Sequence, residues 1–147
     1  MFILSGLAFA GLLIAAAVSD IRSNRIPNVI TGALILVFAI SCASGLYRPA
    51  APHLIAFAVA FAIGSVLFHA KLWGGGDAKL LAATGLYLEP YELSALLLIT
   101  ALAGGAMAAG LLLHQRIAGG AAVGQTKIPY GVALATGGLA VGLRGML

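Results

Sequence analysis

The chain has 147 residues, of which 62% are hydrophobic and only 8% are charged, and its mean hydropathy is +1.10. This composition excludes an ordinary soluble domain and indicates a polytopic membrane protein in contact with the lipid bilayer. The formal net charge of +4 comes from basic residues scattered among short loops, so it predicts membrane orientation rather than nucleic-acid binding.

Six apolar segments follow one another along the chain, separated by short polar loops. In chain order they are Phe2–Ser19, Val29–Leu46, His53–Ala70, Ala78–Leu88, Leu93–Leu113 and Pro129–Leu143. The first has no basic region before it and no convincing cleavage site, so we interpret it as a retained helix rather than a removed signal peptide. The pattern predicts an all-α membrane protein with six transmembrane helices, forming a single membrane-embedded domain over residues 1–147.

Basic residues are distributed unevenly between the two sets of alternating loops. One set carries six of the eight, namely Arg22, Arg25, Lys71, Lys79, Arg116 and Lys127. The other set carries Arg48, Arg144 and both glutamates. By the positive-inside rule the first set faces the cytoplasm. The only two aspartates, Asp20 and Asp77, fall on the same predicted side.

The fourth segment is too short to cross a bilayer. A helix from Asp77 to Glu89 would be about 18 Å long, whereas the hydrocarbon core is about 30 Å thick. If Glu89 stays at the outer interface, Asp77 lies below the cytoplasmic surface, where a charge needs a water-filled cavity or a partner. The alternatives are a locally thinned bilayer or a longer helix that begins near Lys71.

The two aspartates are the candidate chemical groups of the chain. Two carboxylates brought together can share a proton, so that one acts as base and the other as acid. Asp77 follows Gly74, Gly75 and Gly76, which allow close approach of backbone or substrate; alternatively, Asp77 only caps a turn. For Asp20 the alternative is a solvated helix end neutralised by a neighbouring arginine. One cysteine and three scattered histidines predict no metal site, and the dyad needs no cofactor.

These residues carry a family resemblance. Asp20 within Ser19-Asp20-Ile21-Arg22, the following Ile26-Pro27-Asn28 and the Gly-x-Gly-Asp at Gly74–Asp77 resemble the type IV prepilin peptidases, aspartyl proteases of the GxGD class. Lys127-Ile128-Pro129-Tyr130-Gly131-Val132-Ala133 resembles the segment before the last helix of that family. The resemblance implies a GxGD aspartyl protease-like helical bundle with Asp20 and Asp77 as the catalytic pair. The supporting residues it implies are Pro27, Asn28, Gly74, Gly75, Gly76, Lys79, Pro129, Tyr130 and Gly131.

The chain departs from the long members of this family. Those carry a methyltransferase region and paired cysteines in a cytoplasmic loop, whereas the first loop here is only Asp20–Asn28. The resemblance therefore narrows to the short, peptidase-only form of Flp/Tad-type pilus systems, with no methyltransferase domain. It implies an endopeptidase that removes the leader of a Flp-type prepilin at the cytoplasmic face of the bacterial inner membrane. The implied partners are the prepilin and the pilus assembly machinery.

Two other functions fit paired membrane acids. A small transporter or proton channel could use them to relay ions, and a non-catalytic assembly subunit would tolerate their replacement by amides. Within the protease interpretation, Asp77 opens the fourth helix and Asp20 follows the end of the first. Helix ends favour negative charge at the start and disfavour it at the finish, which predicts Asp77 as the base and Asp20 as the proton donor.

Overall fold

The computed structural model describes residues 2–47, 50–117 and 129–144, and within these ranges the chain is helical, with no strand. The helices are α1 (Phe2–Ser23), α2 (Asn28–Ala43), α3 (Ala51–His69), α4 (Gly75–Gly85), α5 (Glu92–Ile117) and α6 (Tyr130–Gly142). The prediction of an all-α chain with six helices in this order is confirmed. Arg48, Lys127 and Ile128, which entered the sequence analysis, lie outside the described residues.

The six helices differ in length. Among the described residues three helices are long and apolar enough to cross a membrane, over Ile3–Ser23, Ala51–His69 and Glu92–His114. By contrast α2 has 16 residues, α6 has 13 and α4 has 11. The described residues thus form six helices, of which α1, α3 and α5 are, by length and composition, the candidates for complete spans.

The two shortest helices occupy the middle of the bundle. α4 packs against α2, α3 and α6, and α6 packs against α1, α4 and α5. Seven of the 11 residues of α4 and eight of the 13 residues of α6 are buried. A helix enclosed in this way does not have to match the bilayer thickness, because much of its surface packs on protein rather than on lipid.

Small residues bring α4 close to α3. The buried residues of α3 are Ala56, Ala60 and Gly64, which recur every fourth position on one face. A Cβ at Gly64 would lie 3.0 Å from the Cα of Ala78 in α4. Small residues at this spacing allow helix backbones to approach closely in membranes. The helix that carries Asp77 is thus tightly packed against its neighbour.

Several helix ends differ from the sequence-based expectation, and two of them lie beside the aspartates. α1 continues past Ser19 to Ser23, so Asp20 lies inside its last turn rather than after it. α4 begins at Gly75 rather than Ala78, and Gly74 before it is extended, with φ −75° and ψ 155°. A longer fourth helix starting near Lys71 is excluded, because Lys71 has a left-handed φ of 58°.

Candidate active site

Asp20 is a buried carboxylate in the last turn of α1, with 5% of its surface exposed. The helix ends just beyond it: the N–H of Asn24 donates to the carbonyl of Asp20 at 2.8 Å, and Asn24 has a φ of 49°. Asparagine is one of the few residues that tolerate this left-handed conformation at a helix end. The carboxylate oxygen Oδ2 accepts the backbone N–H of Gly131 at 2.7 Å.

Asp77 is the third residue of α4, and its side chain turns back to the start of that helix. Its Oδ2 accepts the N–H of Gly74, the N-cap residue, at 3.0 Å. This is the acidic half of a capping box, which satisfies one of the free N–H groups at a helix start. The alternative in which Asp77 caps a turn is thus partly met: Asp77 binds the N–H of the N-cap residue, but it lies three positions after the N-cap, because Gly75 and Gly76 already belong to the helix.

One cavity joins the two aspartates. It has a volume of about 270 Å³, and its wall is formed by both acids, the end of α1, the loop after α1 and the start of α4. Its lining residues are Asp20, Asn24, Arg25, Ile26, Gly74, Gly75, Gly76 and Asp77. Residues 57 positions apart in the sequence thus face a common space, as the hypothesis of a carboxylate pair requires.

The glycines before Asp77 have different surroundings. A Cβ at Gly76 would lie 3.1 Å from the Cβ of Ile26 and 3.3 Å from its backbone nitrogen, so glycine lets α4 touch the loop after α1. At Gly75 the nearest atom would be a ring carbon of Phe68 at 3.5 Å, which is ordinary contact. Gly76 is therefore the glycine on which the approach of the two acidic segments depends.

The described lysine and proline positions of the motifs lie at or near helix starts and are not among the residues that line the cavity. Lys79 donates through Nζ to Oδ1 of Asn28 at 3.0 Å, a link between α4 and the first residue of α2. Pro27 and Pro129 are the N-cap residues of α2 and α6. Proline at a helix start costs no hydrogen bond, since the first N–H groups have no partner inside the helix.

Tyr130 anchors the start of α6. Its ring pairs with Trp73, with centroids 5.9 Å apart and ring planes at 36°. The same ring fills the space beside Gly104 in α5, where a Cβ would lie 3.2 Å from a ring carbon. The tyrosine thus fixes the N-terminus of α6 against both α5 and the segment that precedes α4.

Sequence reasoning missed how the loop after α1 is held. The hydroxyls of Ser19 and Ser23 donate to the carbonyl of Arg25 at 2.8 Å and 3.3 Å. These bonds fold the loop back on the helix, and they bring Asn24, Arg25 and Ile26 to the cavity wall. The available signal was the serine spacing, since serines near helix ends often bind nearby backbone groups.

The site resembles an acid–base pair more than a metal centre. Both aspartates have one oxygen held by a backbone N–H, and both line a space that can admit water. Among the residues that the structure describes, no three potential ligands from histidine, cysteine, aspartate and glutamate lie together. The arrangement can therefore exchange protons with a water molecule placed between two carboxyl groups.

Comparison with models of protein families gave a match to this chain. The type IV leader peptidase family matches residues 7–109, more than half of the sequence and a range that includes both Asp20 and Asp77. Comparison with curated proteins and with solved structures gave no significant match. The family match confirms the resemblance to the prepilin peptidases that the motifs indicated. The chain therefore belongs to the type IV leader peptidase family.

Proposed function

We propose that this prepilin-type peptidase is an aspartyl endopeptidase that removes the leader of a Flp-type prepilin. The observation that carries the proposal is the single cavity shared by Asp20 and Asp77, with one oxygen of each fixed by a backbone N–H. Membership of the family makes a prepilin the expected substrate. The short loop after α1, from Asn24 to Pro27, favours the peptidase-only form.

In the proposed reaction a water molecule lies between the two carboxyl groups. The ionised carboxylate takes a proton from the water, and the oxygen of that water attacks the scissile carbonyl carbon. The protonated partner carboxyl donates its proton to the carbonyl oxygen. Collapse of the tetrahedral intermediate breaks the C–N bond, and the amine leaves with a proton from the dyad. The products are a carboxylic acid on the leader and a free amine on the pilin.

A helix start stabilises the carboxylate form of both aspartates. Asp77 lies in the first turn of α4, which favours its carboxylate. Asp20 ends α1, but it also meets the start of α6 through Gly131, which favours a carboxylate there as well. We keep the hypothesis that Asp77 is the base and Asp20 the proton donor. The difference in carboxylate stabilisation between the two acids is smaller than their positions in the sequence suggested.

We place the cleavage at the cytoplasmic face of the bacterial inner membrane. Arg22, Arg25, Lys71 and Lys79 belong to the end of the bundle that holds the cavity, and the positive-inside rule assigns such an end to the cytoplasm. The pilus assembly machinery is the further partner that this location favours. A transporter or channel is the weaker proposal, because the family is a peptidase family and both aspartates lie at one end.

The test is co-expression with a candidate Flp-type prepilin, scoring loss of the leader on a gel. Asp20→Asn and Asp77→Asn should each lower cleavage at least about 100-fold, because general acid–base groups contribute about 10²–10⁴-fold. Glu89→Gln and Glu92→Gln are matched controls, since the only other acids of the chain lie at the opposite end of α4. Normal processing by either aspartate variant, with the protein present in the membrane, would refute the proposal.

A further inference from the structure

The contact that orients Asp20 comes from a distant part of the chain. The N–H of Gly131 and the Oδ2 of Asp20 are 2.7 Å apart, the bond is buried, and the residues are separated by 111 positions. Gly131 is the second residue of α6. Backbone N–H groups at that position have no acceptor inside their own helix. This N–H is therefore available to Asp20, and the positive end of α6 favours a carboxylate there.

Glycine is required at position 131 for steric reasons. A Cβ there would lie 2.7 Å from Oδ2 of Asp20, closer than real Cβ atoms approach other atoms, and 3.0 Å from the Cβ and Cγ of Asp20, which is tighter than most real Cβ contacts. Gly131 does not have the positive φ that Gly45 has, so its conformation alone would admit any residue. The contact with Asp20 is what excludes a side chain.

The N–H donor of Gly131 is held in place by the residues that precede it. Tyr130, its neighbour, lies between Trp73 and Gly104, and Pro129 caps the helix. The acceptor is held as well, because Asp20 belongs to a helical turn and is buried. A short hydrogen bond between two fixed groups sets the orientation of a carboxylate, since neither side can turn away without breaking packing.

We propose that Gly131 is the positioning residue of the dyad. Its N–H binds Oδ2 of Asp20 and thereby fixes the plane of the carboxyl group that exchanges a proton with water in the proposed reaction. The catalytic consequence rests on the proposed function, whereas the contact itself does not. Gly131 lies beyond the residues that the family match covers, and it acts through Asp20 rather than on the substrate.

The sharpest test removes the N–H without adding a side chain. Glycolate in place of Gly131, introduced by cell-free translation with a chemically acylated suppressor tRNA into lipid nanodiscs, turns the amide into an ester. We expect kcat to fall about 10- to 100-fold, the range for a hydrogen bond to a charged group, with KM within twofold. Glycolate at Gly137, inside α6, is the matched control and should leave kcat unchanged.

A second variant separates positioning from packing. Gly131→Ala and Gly142→Ala introduce equally close contacts in α6, since each Cβ would lie 2.7 Å from its nearest atom, in Asp20 and Phe9 respectively. Both should lower the unfolding temperature, but only Gly131→Ala should lower the kcat of the folded fraction. Equal losses of kcat in the two variants would overturn the proposal.

An infrared measurement is independent of cleavage. The chain contains only Asp20 and Asp77 as aspartates, so ¹³C-aspartate labels this pair alone, and Asp20→Asn identifies the Asp20 bands. The ester at position 131 should shift those bands, and the ester at position 137 should not. Unshifted bands overturn the proposal. If the wild-type protein cleaves no prepilin, the proposed function fails, yet a shifted Asp20 band still supports the contact.

Discussion

The rings of Trp73 and Tyr130 lie against each other, with centroids 5.9 Å apart. Trp73 directly precedes Gly74, whose N–H binds Asp77, and Tyr130 directly precedes Gly131, whose N–H binds Asp20. One aromatic contact thus connects the two backbone segments that hold the carboxylates. The geometry of the pair depends on this contact as well as on the helices that carry the acids.

The first prediction concerns Tyr130. Tyr130→Ala removes the ring that packs on Trp73 and fills the space beside Gly104, so we expect the free energy of unfolding to fall by about 2 kcal/mol. Cleavage by the folded fraction should also fall, because the start of α6 loses its anchor. Tyr130→Phe keeps the ring and should retain both properties. Thermal unfolding in detergent and a prepilin cleavage assay measure the two effects, and wild-type kcat in Tyr130→Ala would contradict the argument.

A second prediction concerns the glycine next to Asp77. Gly76→Ala places a Cβ 3.1 Å from Ile26 and should push α4 away from the loop after α1. Such overpacking costs about 1–3 kcal/mol, and the widened cavity should lower kcat. Gly105→Ala is the control, because Gly105 is exposed in α5 with nothing within 4 Å of its Cβ position. The control should be neutral or more stable by up to about 1 kcal/mol. Equal kcat values for the two variants would show that the Gly76–Ile26 contact is not needed.

The third prediction is a coupling between Lys79 and Asn28. Their hydrogen bond is exposed, so we expect a coupling of about 0.2–1 kcal/mol in a double-mutant cycle of Lys79→Ala and Asn28→Ala. The bond joins α2 to α4, the helix that carries Asp77. Each single variant should therefore lower kcat, while the free energy of unfolding changes little. The same cycle with Lys71→Ala in place of Lys79→Ala is the control and should show no coupling. Additive effects of Lys79→Ala and Asn28→Ala would remove the assigned supporting role.

A fourth prediction concerns topology. Reporter fusions after Tyr47 and Glu89 should report the outside, and fusions after Arg22, Lys71 and Arg116 should report the cytoplasm. The expectation follows from the unequal distribution of basic residues between the two sets of alternating loops. A cytoplasmic signal at Glu89 would show that α4 does not cross the bilayer. It would also contradict the inference that Asp77 lies below the cytoplasmic surface. Paired alkaline phosphatase and fluorescent protein fusions at each site distinguish failed insertion from reversed orientation.

Much of the site was predictable from local sequence. Hydropathy placed all six helices in order, and the position of the only two aspartates on the same predicted side indicated that they form a pair. Helix ends were less well predicted. The drop in hydropathy at Asp20 suggested an end there, but α1 continues until Asn24 adopts a left-handed conformation. A helix ends where its backbone hydrogen bonds end, and a change in side-chain polarity does not have to coincide with that point.

What the sequence by itself determined is the class of protein, the order of its helices and the two aspartates that we propose as the acid–base pair, because composition, periodicity and residue type are local properties. Only the tertiary structure decided that α4 and α6 are enclosed, that Gly76 touches Ile26 and that Gly131 donates to Asp20. These contacts join residues that are far apart in the chain. They depend on how closely helix backbones can approach, and therefore on packing that no single segment encodes.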